Sequence, residues 1–130
     1  MDQLIGKSGT SFTALPIDTA QGFPQSFPFL FDGRTFHFRL YVNVAADVLA
    51  ARTEFIDVPR ANAFLVVRVE KELLDATREI IFLRKIIPQL EYEVENIKLL
   101  FAGQTIARDN INGAGEHGTK LVGGIARRWV

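Results

Sequence analysis

The 130-residue sequence contains no cysteine. This absence excludes disulfide bonds, thiolate metal sites and a cysteine nucleophile, and it suits a protein made in a reducing cytoplasm. Net charge is absent too, because 15 basic residues balance 15 acidic ones. A neutral chain argues against a dedicated binder of nucleic acid or of anionic membranes. The apolar runs are also too short to span a bilayer, so no membrane partner is expected.

The composition indicates a folded chain, since hydrophobic residues make up 48% and charged residues 23%. We divide the chain into an N-terminal arm (residues 1–14), a β-domain (residues 15–109) and a glycine-rich C-terminal arm (residues 110–130). The N-terminal arm is polar and is predicted to be mobile or docked on a partner. The C-terminal arm holds five of the ten glycines. We predict that it is irregular, adds little to the core and becomes ordered only on a partner.

A predicted β-hairpin from Gln25 to Val44 organises the rest of the chain. Two runs of aromatic and β-branched residues flank Asp32 and Gly33, a pair that suits a type I′ turn with positive φ at both central residues. Because side chains alternate between the faces of a strand, each run has a core face and an outer face. The core-facing set is Phe27, Phe29, Phe31, Phe36, Phe38, Leu40 and Val42. The outer set of the second strand is Thr35, His37, Arg39 and Tyr41.

Further short strands are predicted after the hairpin. They lie at residues 55–58, 63–72, 90–95, 97–103 and 104–111. Residues 79–87 fit either a strand or a helix. Pro28 has no amide hydrogen to donate, which predicts an edge position or a bulge for the first hairpin strand. Several short strands with few helical patterns are typical of a small antiparallel barrel or sandwich, so we expect a mainly β fold.

No motif indicates a catalytic or cofactor site. Gly113, Gly115 and Gly118 match the string G-x-G-x-x-G, but a dinucleotide site also needs a preceding strand, a following helix and a later acidic residue. We therefore expect a turning glycine loop. His37 and His117 lack the spacing of a zinc site, and none of the serines lies in a nucleophile elbow. Accordingly we expect no enzyme activity, no cofactor and no small-molecule substrate.

Three alternating glutamates, Glu91, Glu93 and Glu95, share one face of a predicted strand. Their spacing of about 7 Å per step would fit the paired carboxylates of an inverting glycosidase. The same alternation is the ordinary pattern of a strand with one face in solvent. We therefore prefer a solvated acidic face that contacts a basic partner.

A basic-aromatic group, Arg127, Arg128 and Trp129, lies near the C-terminus. Arginine and tryptophan are enriched at the energetically dominant positions of protein interfaces. The group would also suit stacking on a nucleic-acid base, but a single such cluster on a neutral chain favours docking to a protein. We predict that it contacts carboxylates of a neighbouring subunit, such as those of the acidic face.

The hairpin region resembles the opening of small, plug-type hub proteins from the baseplates of contractile-tailed bacteriophages. The shared features are an early Pro-Ile-Asp, an aromatic strand, an Asp-Gly turn and an alternating strand that ends in an aromatic residue and asparagine. In this chain they are Pro16, Ile17, Asp18, Gln25, Phe27, Phe29, Phe31, Asp32, Gly33, Phe36, Phe38, Leu40, Tyr41 and Asn43. The resemblance covers roughly Leu15 to Phe101.

The resemblance implies a small OB-like, partly open antiparallel β-barrel in a structural virion protein. Such a protein is made in the host cytoplasm and assembles near the tail axis with copies of itself and with other tail and baseplate proteins. Two alternatives remain open. OB-like barrels also bind single-stranded nucleic acid through aromatic residues on a basic sheet face. The three alternating glutamates leave open a small carboxylate-dependent hydrolase.

Overall fold

Alternating aromatic and β-branched residues produce a chain built almost entirely of strands. The computed structural model describes residues 3–51 and 53–129; residues 1, 2, 52 and 130, which include the outer ends of both predicted arms, lie outside the described residues. The strands are β1 (Gln3–Ile5), β2 (Ser11–Ala14), β3 (Gln25–Phe31), β4 (Arg34–Val44), β5 (Phe55–Asp57), β6 (Ala63–Glu72), β7 (Arg78–Lys85), β8 (Tyr92–Val94), β9 (Ile97–Ala107) and β10 (Lys120–Arg127). A short helix, α1 (Ala46–Ala50), and two 3₁₀ turns, Thr19–Gln21 and Arg108–Asn110, complete the described elements.

The strands form two antiparallel sheets. The four-stranded sheet has the order β3-β4-β6-β7, and the six-stranded sheet has the order β1-β2-β10-β9-β5, with β8 also paired to β9. The described strands do not close either sheet into a barrel. The prediction of a mainly β, partly open antiparallel fold is therefore confirmed. None of the described helices has the length and apolar character needed to cross a membrane.

The main core lies between the two sheets and receives side chains from both. The four-stranded sheet contributes Phe38 and Leu40, and the six-stranded sheet contributes Leu99, Phe101 and Ile125, all fully or almost fully buried. A smaller cluster centred on Phe12 covers the other face of the six-stranded sheet. The six-stranded sheet is therefore apolar on both faces near β10, whereas the four-stranded sheet leaves one face toward solvent.

The hairpin forms as its pattern predicts. Strands β3 and β4 pair with Phe29 opposite Phe36, and the connecting residues Asp32 and Gly33 have φ angles of 51° and 76°. Positive φ at both positions confirms the type I′ turn. Phe36, Phe38 and Leu40 of β4 are buried, while Val42 and the three phenylalanines of β3 are half-buried. Pro28 lies on an edge strand, as its missing amide hydrogen requires.

Replacing Gly33 with valine is expected to lower the free energy of unfolding by more than about 1 kcal/mol, because a β-branched residue resists positive φ. A Cβ atom at Gly33 would meet no atom within 4 Å, so the loss comes from the backbone alone. Asp32→Asn is the control, and it should be nearly neutral because asparagine tolerates this conformation. Urea unfolding followed by circular dichroism measures both. Equal stability of the two variants would contradict the assigned turn.

The predicted irregular C-terminal arm over residues 110–130 is wrong for residues 120–127, which form strand β10, whereas residues 111–119 are irregular as predicted. Strand β10 lies inside the six-stranded sheet, paired with β9 along residues 120–127 and with β2 at residues 124 and 125. Leu121 and Ile125 enter the main core. The β-domain therefore extends beyond residue 109. The glycine content was misread as flexibility, although two of these glycines lie within the strand.

The predicted N-terminal arm is also largely strand. Strands β1 and β2 form a hairpin that joins the six-stranded sheet through the contact of β2 with β10, and Phe12 is fully buried.

Residues 79–87, which fitted either a strand or a helix, form a strand, since β7 covers most of them. The two strands predicted at residues 97–103 and 104–111 are one strand, β9, which continues through Gly103.

Candidate functional site

The three glutamates of the predicted acidic face do not share a strand. Only Glu93 lies within β8, while Glu91 precedes it and Glu95 occupies the following turn with a φ of 51°. Each carboxylate contacts a cation of the same chain: Glu91 contacts Lys98 at 2.7 Å, Glu93 contacts Arg128 at 3.2 Å and Glu95 contacts Lys71 at 2.9 Å. The contact of this face with a basic partner protein stays a prediction.

Glu91 is the most enclosed of the three, with only 13% of its side chain exposed. Besides Lys98, its carboxylate accepts hydrogen bonds from the backbone amide and the hydroxyl of Ser8, at 2.9 and 2.7 Å. The ammonium of Lys98 and the donors of Ser8 hold the pKa of Glu91 down to about 2. A carboxyl group with so low a pKa is ionised near neutral pH and has no proton to give, so it cannot serve as a general acid there. The contacts instead fasten the β1–β2 hairpin to the start of β9.

Glu91→Gln is expected to destabilise the protein at pH 7 by about 1–3 kcal/mol, because it removes charge-assisted hydrogen bonds from a mostly enclosed group. The folded-state pKa of about 2 lies below the ordinary value of 4.5. The stabilisation is therefore complete above about pH 5 and is lost as the pH falls toward 2. Urea unfolding from pH 7 to pH 2.5 should show the two proteins converging. Glu93→Gln, at an exposed ion pair, should change little, and a pH-independent gap for Glu91→Gln would contradict the assignment.

The basic-aromatic group lies at the end of β10 and contacts its own chain. Arg127 Nη2 lies 2.8 Å from Asp32 Oδ1 in the β3–β4 turn, which joins the two sheets at the surface. The guanidinium of Arg128 pairs with Glu93 and stacks over the ring of Trp129 at 4.6 Å. The pairing with the acidic group that we predicted between molecules is thus present within one chain for Arg128 and Glu93. Trp129 stays largely exposed, so docking through its ring stays a prediction.

The histidines and the glycine loop lie apart from one another. His37 contacts Glu72 at 2.9 Å on the four-stranded sheet, and His117 lies 3.9 Å from Asp109. Within the described ranges, no group of three histidine, cysteine or acidic side chains is placed to hold a metal. The loop over residues 113–118 turns around the buried Asn110, whose amide donates to the carbonyls at residues 113 and 115. The glycine loop is therefore a turn built on an internal hydrogen-bond network.

The sequence predicts only in part the solvent face of the four-stranded sheet, which we call the outer face. Its residues are Ser26, Pro28 and Leu30 on β3; Thr35, His37, Arg39, Tyr41 and Asn43 on β4; Phe64, Val66, Arg68, Glu70 and Glu72 on β6; and Arg78, Ile80, Leu83 and Lys85 on β7. Alternation correctly placed the β4 residues there. Their neighbours on β6 and β7 depend on long-range register, which the sequence alone does not give.

Apolar side chains are exposed along both edges of the outer face. Leu30 on β3 is 69% exposed, and Ile80 and Leu83 on β7 are 52% and 54% exposed. Leu74 is fully exposed at the tip of the β6–β7 hairpin. Both β3 and β7 are edge strands of their sheet. Exposed apolar groups on open sheet edges mark places where another chain can pack or pair.

The centre of the outer face carries charge and aromatic rings. Arg68 Nη2 donates to Glu70 at 2.5 Å, and Arg78 lies 3.6 Å from the same glutamate. The ammonium of Lys85 lies over the ring of Phe64, at 3.9 Å from its centroid. The hydrogen bond and positive charge of Arg68, and to a smaller extent those of Arg78, hold the pKa of Glu70 below its ordinary value. Protein interfaces are usually apolar at the centre and polar at the rim, so the case for protein binding at this face rests on its exposed apolar edges.

Comparisons with protein families, with curated proteins and with solved structures found no match to this chain.

Proposed function

We propose that this protein is a structural subunit that works by assembling with other proteins through the outer face of its four-stranded sheet. The observation that carries the proposal is the exposure of Leu30, Ile80 and Leu83 on one sheet that has two open edges, together with Leu74 in the turn between β6 and β7. Pro28 on β3 and the charged residues of β7 give the two edges part of the protection that monomeric proteins use, but the apolar side chains beside them stay exposed. A partner that covers this sheet removes the apolar surface from water, which favours association.

The specific assembly that we propose is the baseplate hub of a contractile phage tail, with the protein acting as a plug-type subunit near the tail axis. Its support is the hairpin pattern and its resemblance to plug-type hub proteins, together with the small open β fold. In such a hub the protein contacts copies of itself and other tail proteins. It resides in the virion after synthesis in the host cytoplasm.

Co-sedimentation with tail particles tests the proposal. The expected result is that the protein sediments with tails from a producing lysate and that antibody labelling in electron micrographs marks the baseplate end. Protein that stays in the soluble fraction while tails assemble normally would overturn it. Leu83→Asp should reduce incorporation, whereas Val122→Asp, at an exposed apolar site on the other sheet, should not. Circular dichroism confirms that both variants fold.

One observation favours a second candidate, a single-stranded nucleic-acid binder. The outer face presents Tyr41 and Phe64 beside Arg39, Arg68 and Lys85, which resembles a stacking platform with cations. Against this candidate, Lys85 already covers the ring of Phe64, and Glu70 and Glu72 interrupt the positive charge. A short oligonucleotide should show no detectable binding by fluorescence anisotropy near physiological salt. Tight binding that weakens steeply with salt would instead favour this candidate.

A further inference from the structure

Two arginines of the outer face stand directly opposite each other. Arg39 on β4 pairs in register with Arg68 on β6. Directly opposed residues in an antiparallel pair have Cβ atoms about 4.5–5.5 Å apart, and like charges at this spacing are destabilising. A fold tolerates such a local conflict most readily where function requires it.

The two guanidinium groups have little countercharge within the chain. Arg39 makes one long hydrogen bond, 3.5 Å to the hydroxyl of Ser26, and no described carboxylate lies within ion-pair distance of it. Arg68 reaches Glu70 through Nη2, while its Nε is buried and donates to no described atom. Glu70 is itself shared with Arg78. One carboxylate therefore serves two arginines, and Arg39 is left without an acidic partner in the described part of the chain.

Arg39 and Arg68 also lie where two hollows of the outer face meet. The first hollow is further lined by Ser26, Pro28, His37 and Glu70. The second is further lined by Pro24, Tyr41, Leu83 and Ile111. Both hollows are mixed in character: the first also includes Phe27 and Phe38, and the second also includes Asn43 and Asn112.

We propose that Arg39 and Arg68 form a carboxylate-binding site that docks one glutamate or aspartate of a partner protein. The planar guanidinium matches a carboxylate with two parallel hydrogen bonds, and a carboxylate between two arginines relieves their repulsion. Tyr41 and Leu83 accept the apolar side chains that flank the acidic residue. This inference rests on the proposed function as an assembly protein and names the chemistry of one partner.

A protein carboxylate fits the site better than the phosphates of a nucleic acid. A polyanionic strand that follows the sheet from the arginine pair would pass over Glu70 and Glu72, which lie in the neighbouring rows of β6. A single carboxylate needs only the arginine pair. The zero net charge of the chain also provides no long-range attraction for a polyanion.

The test is an NMR titration of the isolated full chain with a short capped peptide that carries one glutamate flanked by leucines. A matched peptide with glutamine in place of glutamate is the ligand control, and inorganic phosphate and a short oligothymidine are the competing probes. The protein variants are Arg39→Gln and Arg68→Gln. Arg84→Gln is the protein control, because Arg84 is an exposed arginine on β7 that lies on the opposite side of the sheet from the outer face.

The expected result is that the glutamate peptide shifts the side-chain Nε–Hε signals of Arg39 and Arg68. Arg39→Gln and Arg68→Gln should each raise the Kd for the peptide about tenfold, while Arg84→Gln should leave it unchanged. Arg39→Gln should not lower the melting temperature, since it removes a repulsive pair. Absence of these shifts, an unchanged Kd in Arg39→Gln, or tighter binding of phosphate or oligothymidine would overturn the carboxylate site.

The peptide titration and the tail co-sedimentation test the two proposals separately, so that either proposal can fail without the other. Peptide binding without co-sedimentation would reject the assignment to a phage tail and keep the carboxylate site. Normal incorporation of Arg39→Gln into tails, with no peptide binding by the original protein, would reject the carboxylate site and keep the tail assignment.

Discussion

Deleting residues 118–130 is expected to abolish cooperative folding, although the sequence alone suggested that this segment was dispensable to the monomer. Strand β10 separates β2 from β9, so its loss leaves two strands with unpaired edges and detaches the β1–β2 hairpin. It also removes Leu121 and Ile125 from the core, each worth about 1.5–3 kcal/mol of burial. Those losses approach the roughly 5–15 kcal/mol that stabilise a domain.

Thermal unfolding by circular dichroism and a proton–nitrogen NMR spectrum measure the effect of this deletion. A truncated protein that retains a sharp melt and dispersed resonances would show that β10 is not part of the folding unit. Point variants give the same answer without shortening the chain. Ile125→Ala should cost about 2–5 kcal/mol. Val122→Ala, three residues earlier on the same strand and 46% exposed, should cost far less.

Phe38→Ala is expected to lower the free energy of unfolding by about 3–5 kcal/mol. Phe38 is 1% exposed, stacks on Phe27 with ring centroids 5.2 Å apart, and lies opposite Val69 on β6. The substitution leaves a cavity where three strands meet and the fold has little freedom to collapse into it. Such a loss is a large share of the total stability of a small domain.

Thr35→Ala is the control for Phe38→Ala, because Thr35 lies on the same strand and points to the outer face. Its truncation removes little buried surface and should change stability by well under about 1 kcal/mol. Urea unfolding of both variants decides the face assignment. A larger loss of unfolding free energy for Thr35→Ala than for Phe38→Ala would mean that Thr35, and not Phe38, lies on the core face of β4.

The hairpin could be predicted from the sequence because all its determinants are local. Alternation over residues 25–31 and 34–44 gives the faces, and Asp32 with Gly33 gives the turn and hence the register. Residues 79–87 could not be assigned to a strand or a helix from the sequence, since a short apolar run has no distinctive period. Pairing with β6 decides that they form a strand.

Strand β10 could not be predicted because its glycines serve close packing. A Cβ atom on Gly123 would lie 2.8 Å from the ring of Phe101, and one on Gly124 would lie 2.7 Å from the Cβ of Phe12. Glycine within a strand often marks a place where another group approaches the backbone. The composition alone shows many glycines, and only the fold shows the two aromatic residues that lie against them.

The candidate site was predicted in part. Alternation placed Arg39 on the solvent side of β4, but its opposition to Arg68 arises from a pairing of strands distant in sequence. For the acidic group the same alternation was misleading. The strand ends at Val94, and Glu95 enters a turn that local pattern does not distinguish from a longer strand.

The position of β10 also orders events during synthesis. Ala14 on β2 pairs with Gly124 on β10, a separation of 110 residues obtained as 124 minus 14. The four-stranded sheet instead joins strands that are close along the chain, in the order β3-β4-β6-β7. Closing a long loop costs more entropy and slows folding. The emerging chain can therefore complete the four-stranded sheet early, whereas β2 and β9 keep unsatisfied edges until the ribosome has released the segment that joins them.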